Sequence, residues 1–125
     1  MKNYILTMDI GGTTFTSALF DSDFNQVGNS MESYVKEYGS KLDLISGFTS
    51  QLKKLYSEHN ISMDEVIGLG ISVPGPLDSQ KGLILDTPNL TMLKNTNLAG
   101  LMEAELSVPV QIENDANLFV WGEWY

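Results

Sequence analysis

The sequence contains no cysteine, no arginine and a single histidine, His59. Without thiols there is neither a disulfide framework nor a thiolate zinc site, which fits a reducing compartment. The seven basic residues are all lysine and face sixteen acidic ones, for a formal net charge of −9. That balance argues against a sequence-independent grip on nucleic acid or on an anionic membrane surface, so neither is expected as a partner. Any phosphate group the chain holds must be met by backbone N–H groups, by lysine or by a metal ion. Long apolar runs are missing too. Met1-Lys2-Asn3 leads directly into Tyr4–Met8, too short a stretch for a signal sequence, and no segment reaches membrane-spanning length. A soluble, cytoplasmic protein is the expectation. The chain has 125 residues, 42% of them apolar, enough for one globular domain with a core of its own.

The order of elements carries more information than composition. Tyr4–Asp9 and Phe15–Asp21 read as strands, because β-branched and aromatic residues cluster there and Phe15, Ser17 and Leu19 alternate with Thr16, Ala18 and Phe20. Only a Gly-Gly-Thr-Thr turn separates them, so a hairpin is expected, with the glycines supplying torsions other residues resist. A third strand is expected over Gln26–Val35. From Ser40 to His59 the period changes to three and four, with Leu42, Ile45, Phe48, Leu52 and Leu55 on one face. This predicts an amphipathic helix with Ser40 as N-cap, Asn60 as a left-handed stop and His59 solvated at its end, without a catalytic role. Val66–Val73 alternates large with small residues, a strand with one face free for close packing or a ligand. Pro74-Gly75-Pro76 ends it. A ribbon over Leu77–Leu85, a loop at Asp86–Leu90, a helix over Asn97–Leu106, a strand at Val110–Glu113 and a last helix opening at Asn114 follow. The pattern β-β-β-α-β-α-β-α gives an α/β class: a mixed sheet, antiparallel hairpins first, then parallel strands with helices.

Two loops carry chemistry. In Asp9-Ile10-Gly11-Gly12-Thr13-Thr14, Gly11 and Gly12 let the main chain approach a phosphate, Thr13 and Thr14 offer hydroxyls, and the Asp9 carboxylate can position Mg²⁺. The same residues would serve equally as a plain hairpin turn. No Gly-Lys-Ser/Thr ending makes this a Walker loop, and no helix follows to make it a Rossmann fingerprint. In Asn114-Asp115-Ala116-Asn117, a carboxylate directly after a strand can accept the proton of an attacking sugar hydroxyl while Asn114 orients it. The alternative is that Asn114 or Asp115 merely caps the final helix, and the two roles can coexist.

Taken in order, Asp9–Thr14, Gly70–Asp78 (Gly-Ile-Ser-Val-Pro-Gly-Pro-Leu-Asp), Gly82–Leu90 (Gly-Leu-Ile-Leu-Asp-Thr-Pro-Asn-Leu) and Asn114–Asn117 resemble the N-terminal lobe of ROK proteins, a bacterial family of sugar kinases and sugar-responsive repressors. The resemblance runs from Tyr4 to the last residue. It implies an actin-like, ribonuclease-H-like lobe that uses ATP and Mg²⁺, with Asp9, Gly11, Gly12, Thr13 and Thr14 on the nucleotide phosphates and metal. It implies Asp115 as catalytic base and sugar contacts from Gly75, Asn89, Asn114 and Asp115. The implied substrate is a hexose or N-acetylhexosamine, as in a glucokinase.

In that family a larger C-terminal lobe carries most of the adenine site, further sugar-contacting Glu and His residues, and a zinc motif of cysteines and a histidine, none of which this sequence holds. Residues 1–125 are therefore expected to be the N-terminal lobe alone, with the C-terminal lobe as its missing partner. Half a cleft cannot exclude water or align a nucleophile, so negligible kinase activity is expected of the isolated chain. Two other readings stay open. The family's repressors carry a helix-turn-helix ahead of the equivalent glycine loop, whereas this sequence enters a strand right after Met1, which favours kinase ancestry over a sugar-sensing repressor domain. A non-catalytic sugar-binding or assembly module, such as a homodimer, would use Trp121, Trp124 and Tyr125 as interface anchors. Phe119, Val120 and Trp121 stand where family members usually have small residues, and such aromatics point to core or lobe-interface packing.

Overall fold

Alternation of apolar and polar residues turns Tyr4–Asp21 into a hairpin. In the computed structural model, which describes residues 3–73, 77, 78, 81, 83, 84, 93 and 96–113, strand β1 spans Tyr4–Ile10 and β2 spans Thr14–Asp21. They pair antiparallel from Tyr4 opposite Asp21 to Ile10 opposite Phe15. Strand β3 is shorter than expected, Met31–Tyr34. Upstream, Gln26 makes a single bridge to Phe20, and Gly28, at φ 70°, turns the backbone out of strand geometry. A side chain at Gly28 would collide with the His59 ring, 2.4 Å from Nε2. His59 is thus exposed at a helix end, as expected, yet also seated against this turn.

Helix α1, Lys41–Ser57, starts where Ser40 accepts a hydrogen bond from the Asp43 N–H at 3.2 Å, and Asn60 follows it in the left-handed region at φ 57°. Its inward face is Leu44, Ile45, Phe48, Leu52 and Leu55. Leu42, expected on that face, is 72% exposed. It stands in the first turn, and Leu44 takes the inward position instead. Strand β4, Val66–Ser72, joins β1 in parallel. Short strands β5 (Leu77–Asp78), β6 (Leu83–Ile84) and β7 (Thr96–Asn97) form a separate antiparallel ribbon, of which β7 was not anticipated. Helix α2, Leu98–Leu106, is capped by Asn97, whose Oδ1 accepts from the Gly100 N–H at 3.1 Å. Strand β8, Val110–Glu113, then pairs in parallel with β4. The expected loop at Asp86–Leu90 and the expected helix from Asn114 lie outside the described residues.

The main sheet has the order β3-β2-β1-β4-β8, antiparallel on one side and parallel on the other. Both crossovers run the same way along it, so right-handed connections put α1 and α2 on one face, where they touch each other. That face is apolar: Leu6, Met8, Ile10, Phe15, Leu19, Leu69, Ile71 and Ile112 are fully buried. Phe15 and Phe48 meet edge to face at 4.8 Å between ring centroids, a geometry that adds about 0.5–1.5 kcal/mol beyond area burial. A polar pin crosses the same layer. Gln51 of α1 donates to the Ser17 hydroxyl (2.7 Å) and the Met31 carbonyl (3.0 Å) and accepts from the Ser33 hydroxyl (2.6 Å), tying β2 and β3 to the helix. The opposite face carries Ile5, Thr7, Asp9, Thr16, Gly70, Ser72, Gln111 and Glu113. Neither described helix lies on it, yet Ile5, Gly70 and Ser72 are buried there. No helix among the described residues is long and apolar enough to cross a membrane.

Candidate functional site

The hairpin between β1 and β2 closes on a hydrogen bond from the Gly11 N–H to the Thr14 carbonyl, 2.8 Å, which leaves Gly12 and Thr13 at the tip. A second bond, from the Val35 N–H to the Thr13 carbonyl at 2.9 Å, fastens the tip to the end of β3, where the Val35 side chain is buried. Gly12 and Thr13 are exposed, Gly11 and Thr14 half-buried, and the Asp9 side chain is exposed on the open face. The expected special torsion is absent at Gly11, whose φ lies outside the left-handed region, and its N–H is engaged inside the turn. A Cβ at Gly11 would meet only the Thr14 carbonyl oxygen, at the ordinary contact distance of 3.5 Å. The fold does not require glycine here. The Gly12 and Thr13 N–H groups make no main-chain hydrogen bond to another described residue.

Register extends the site across the sheet. Asp9 of β1 is paired with Thr16 of β2 and with Ser72 of β4; Thr16 is paired with Glu32 of β3, and Ser72 with Glu113 of β8. Register partners point to the same face, so Glu32, Thr16, Asp9, Ser72 and Glu113 form one row in which carboxylates alternate with hydroxyls. With strands about 4.8 Å apart, successive carboxylates in the row are separated by about 10 Å of backbone. The Thr16 hydroxyl donates to Glu32 Oε2 at 3.5 Å, and the Gln111 side-chain amide donates to Glu113 Oε1 at 2.8 Å. Sequence reasoning does not connect Ser72, Glu113, Thr16 and Glu32 with Asp9. They acquire meaning only through strand pairing, for which the sequence carries no local signal.

The row also lies at the end of the sheet where β1, β4 and β8 all finish. The Val73 N–H donates to the Glu113 carbonyl at 3.0 Å, which carries the ladder to the last described residues of both strands. Gly75, Asn89, Asn114 and Asp115 themselves lie outside the described residues. Among the described residues no three of His, Cys, Asp or Glu gather as metal ligands. A single exposed carboxylate, as at Asp9, fits Mg²⁺, which takes one or two carboxylates and fills its other positions with water and phosphate oxygens.

Comparison with known proteins decides the family, for the ROK family profile matches residues 5–125. The chain belongs to the ROK family. It is 29% identical over 118 residues to a glucokinase of Halalkalibacterium halodurans, covering 94% of this chain and 35% of that protein. A ROK glucokinase of Streptomyces griseus, solved with glucose and AMPPNP, superposes with a TM-score of 0.78 at 21% identity, covering 97% of this chain and 36% of that one. A ROK transcriptional regulator, a homologue of the E. coli MLC protein, superposes with a TM-score of 0.76 at 19% identity, covering 90% of this chain and 28% of that one. The chain thus spans about a third of the length of the ROK proteins it matches. The expected α/β class holds: this is the actin-like, ribonuclease-H-like lobe, its mixed sheet beginning with antiparallel strands and continuing with parallel strands and helices.

Proposed function

We propose that residues 1–125 are the N-terminal lobe of an ATP-dependent hexose kinase that transfers the ATP γ-phosphate to a sugar hydroxyl, glucose or an N-acetylhexosamine being the substrate class. The observation that carries this reading is the alignment of Asp9, Ser72 and Glu113. It brings the glycine hairpin and the strand leading into Asn114-Asp115 to one end of the sheet, about 10 Å apart at the backbone. Gly12 and Thr13 amides with the Thr13 and Thr14 hydroxyls would hold the nucleotide phosphates, and Asp9 would hold Mg²⁺, whose charge offsets that of the phosphates. Asp115 would take the proton of the sugar hydroxyl as its oxygen attacks the γ-phosphorus and ADP leaves, while Gly75, Asn89 and Asn114 orient the sugar. The C-terminal lobe would close the cleft, so the isolated lobe should show negligible turnover.

Because the chain has no cysteine, spin labels placed by Thr13→Cys and Asp115→Cys report one distance without background. A separation of about 10–20 Å fits a shared crevice on strands two apart, whereas one beyond the roughly 26 Å spanned by an eight-residue strand would put the two motifs at opposite ends and exclude the mechanism. The likeness to ROK transcriptional regulators keeps a sugar-sensing role as the second reading. Sugar-dependent phosphate transfer from ATP by the full-length protein separates the two, since a sensor binds sugar without consuming ATP.

A further inference from the structure

The site assigned to ATP phosphates is bordered by carboxylates. Glu32, Asp9 and Glu113 share its row, and a polyphosphate placed beside them needs more positive charge than loop amides supply. From Asn3 to Ser40 the sequence offers one cationic side chain, Lys36. Its place is fixed by the hairpin itself. Tyr34 is the register partner of Thr14, an opposed pair whose Cα atoms stand about 4.5–5.5 Å apart. Val35 is anchored through its N–H to the Thr13 carbonyl at 2.9 Å. Lys36 follows in the turn Val35–Glu37, and its Nζ stands 5.7 Å from the centroid of the Tyr34 ring. Tyr34 is 46% exposed and, as the partner of Thr14, lies on the open face. Lys36 forms no ion pair with any described residue. The ammonium rests near the ring of the residue paired with Thr14, an attraction weak at an exposed site and readily exchanged for a stronger anion.

We propose that Lys36 is a phosphate-binding residue of this lobe, its ammonium moving from the Tyr34 ring onto the polyphosphate of a magnesium-bound nucleoside triphosphate. The inference rests on the reading of the hairpin as the phosphate site. It gives a role to an exposed lysine whose ammonium lies against the Tyr34 ring.

The test uses the full-length protein with Lys36→Ala, Lys36→Arg and, as a control on the outer surface of α1, Lys53→Ala. Calorimetric titration with Mg-ATP and with inorganic tripolyphosphate, at two salt concentrations, is the readout. Lys36→Ala should weaken both ligands about tenfold, as loss of a charged hydrogen bond does, and flatten the salt dependence, while sugar affinity and melting temperature stay unchanged. Lys36→Arg should retain binding, and Lys53→Ala should match the parent. Parent-like binding of both ligands by Lys36→Ala, or a parallel loss of sugar affinity, overturns the proposal. Gly11→Ala distinguishes the two levels of failure. If it weakens nucleotide binding while Lys36→Ala does not, only the role of Lys36 falls; if neither does, the hairpin is not the phosphate site.

Discussion

Asp9 and Ser72 stand at the same level of adjacent parallel strands, with both side chains on the sheet face that neither described helix covers. Ser72 in turn is level with Glu113, the residue before Asn114-Asp115. A pairing shifted by one residue would send every one of these side chains into the apolar layer beneath α1 and α2. The register that buries Leu69, Ile71 and Ile112 is therefore the same constraint that presents the polar row.

Gly11 offers the cleanest separation of folding from ligand binding. A methyl group there meets only the Thr14 carbonyl oxygen at 3.5 Å, and the backbone torsion is open to alanine. Gly11→Ala should leave stability unchanged or raise it by up to about 1 kcal/mol through the unfolded state. If the hairpin holds the phosphates as proposed, its affinity for Mg-ATP, read by titration calorimetry, should fall about tenfold or more, because the added methyl crowds that position. A destabilised protein would show that the fold itself needs this glycine.

Gly47 lies in the middle of α1, where glycine costs helix stability, and the reason for it is Tyr38. An added Cβ would stand 2.5 Å from Cε1 and Cζ of that ring, which also packs against Phe15 at 5.8 Å between centroids. Gly47→Ala should destabilise by about 1–3 kcal/mol in chemical denaturation, the overpacking outweighing the propensity gain of about 1 kcal/mol. In a Tyr38→Ala background the sign should reverse.

Gln51 is the one long polar side chain buried in the helix-covered layer among the described residues. Gln51→Leu leaves the Ser17 hydroxyl, 0% exposed, without its 2.7 Å donor, and removes the bonds to Ser33 and Met31. The expected cost is about 2–3 kcal/mol in urea denaturation. Adding Ser17→Ala should restore part of it, since no buried hydroxyl is then left unpaired at that position.

The fold was legible in the sequence wherever a local rule acted alone. Helix α1 followed from the period of Ile45, Phe48, Leu52 and Leu55, its start from Ser40 and its stop from Asn60, and all of these stand in the structure. Leu42 was misplaced because helical spacing alone does not say which residues of a first turn reach the core. The extent of β3 was overestimated because the turn at Gly28, seated against His59, depends on a contact far away in sequence. The site divides in the same way. Asp9 and the glycine hairpin show themselves as a contiguous motif, whereas Ser72, Glu113, Thr16 and Glu32 become neighbours only once five strands are paired. The link between Val35, the residue before Lys36, and Thr13 was hidden for a like reason, since it follows from the pairing of β2 with β3.

The central claim, that a carboxylate following β8 activates a sugar hydroxyl toward a phosphate held at the β1–β2 hairpin, is tested most directly by Asp115→Asn in the full-length protein. The substitution nearly preserves shape while removing the base. Turnover in a coupled phosphorylation assay should fall by about 10²–10⁴-fold, with sugar and Mg-ATP affinities measured calorimetrically within a few-fold of the parent. Near-normal turnover would contradict the account.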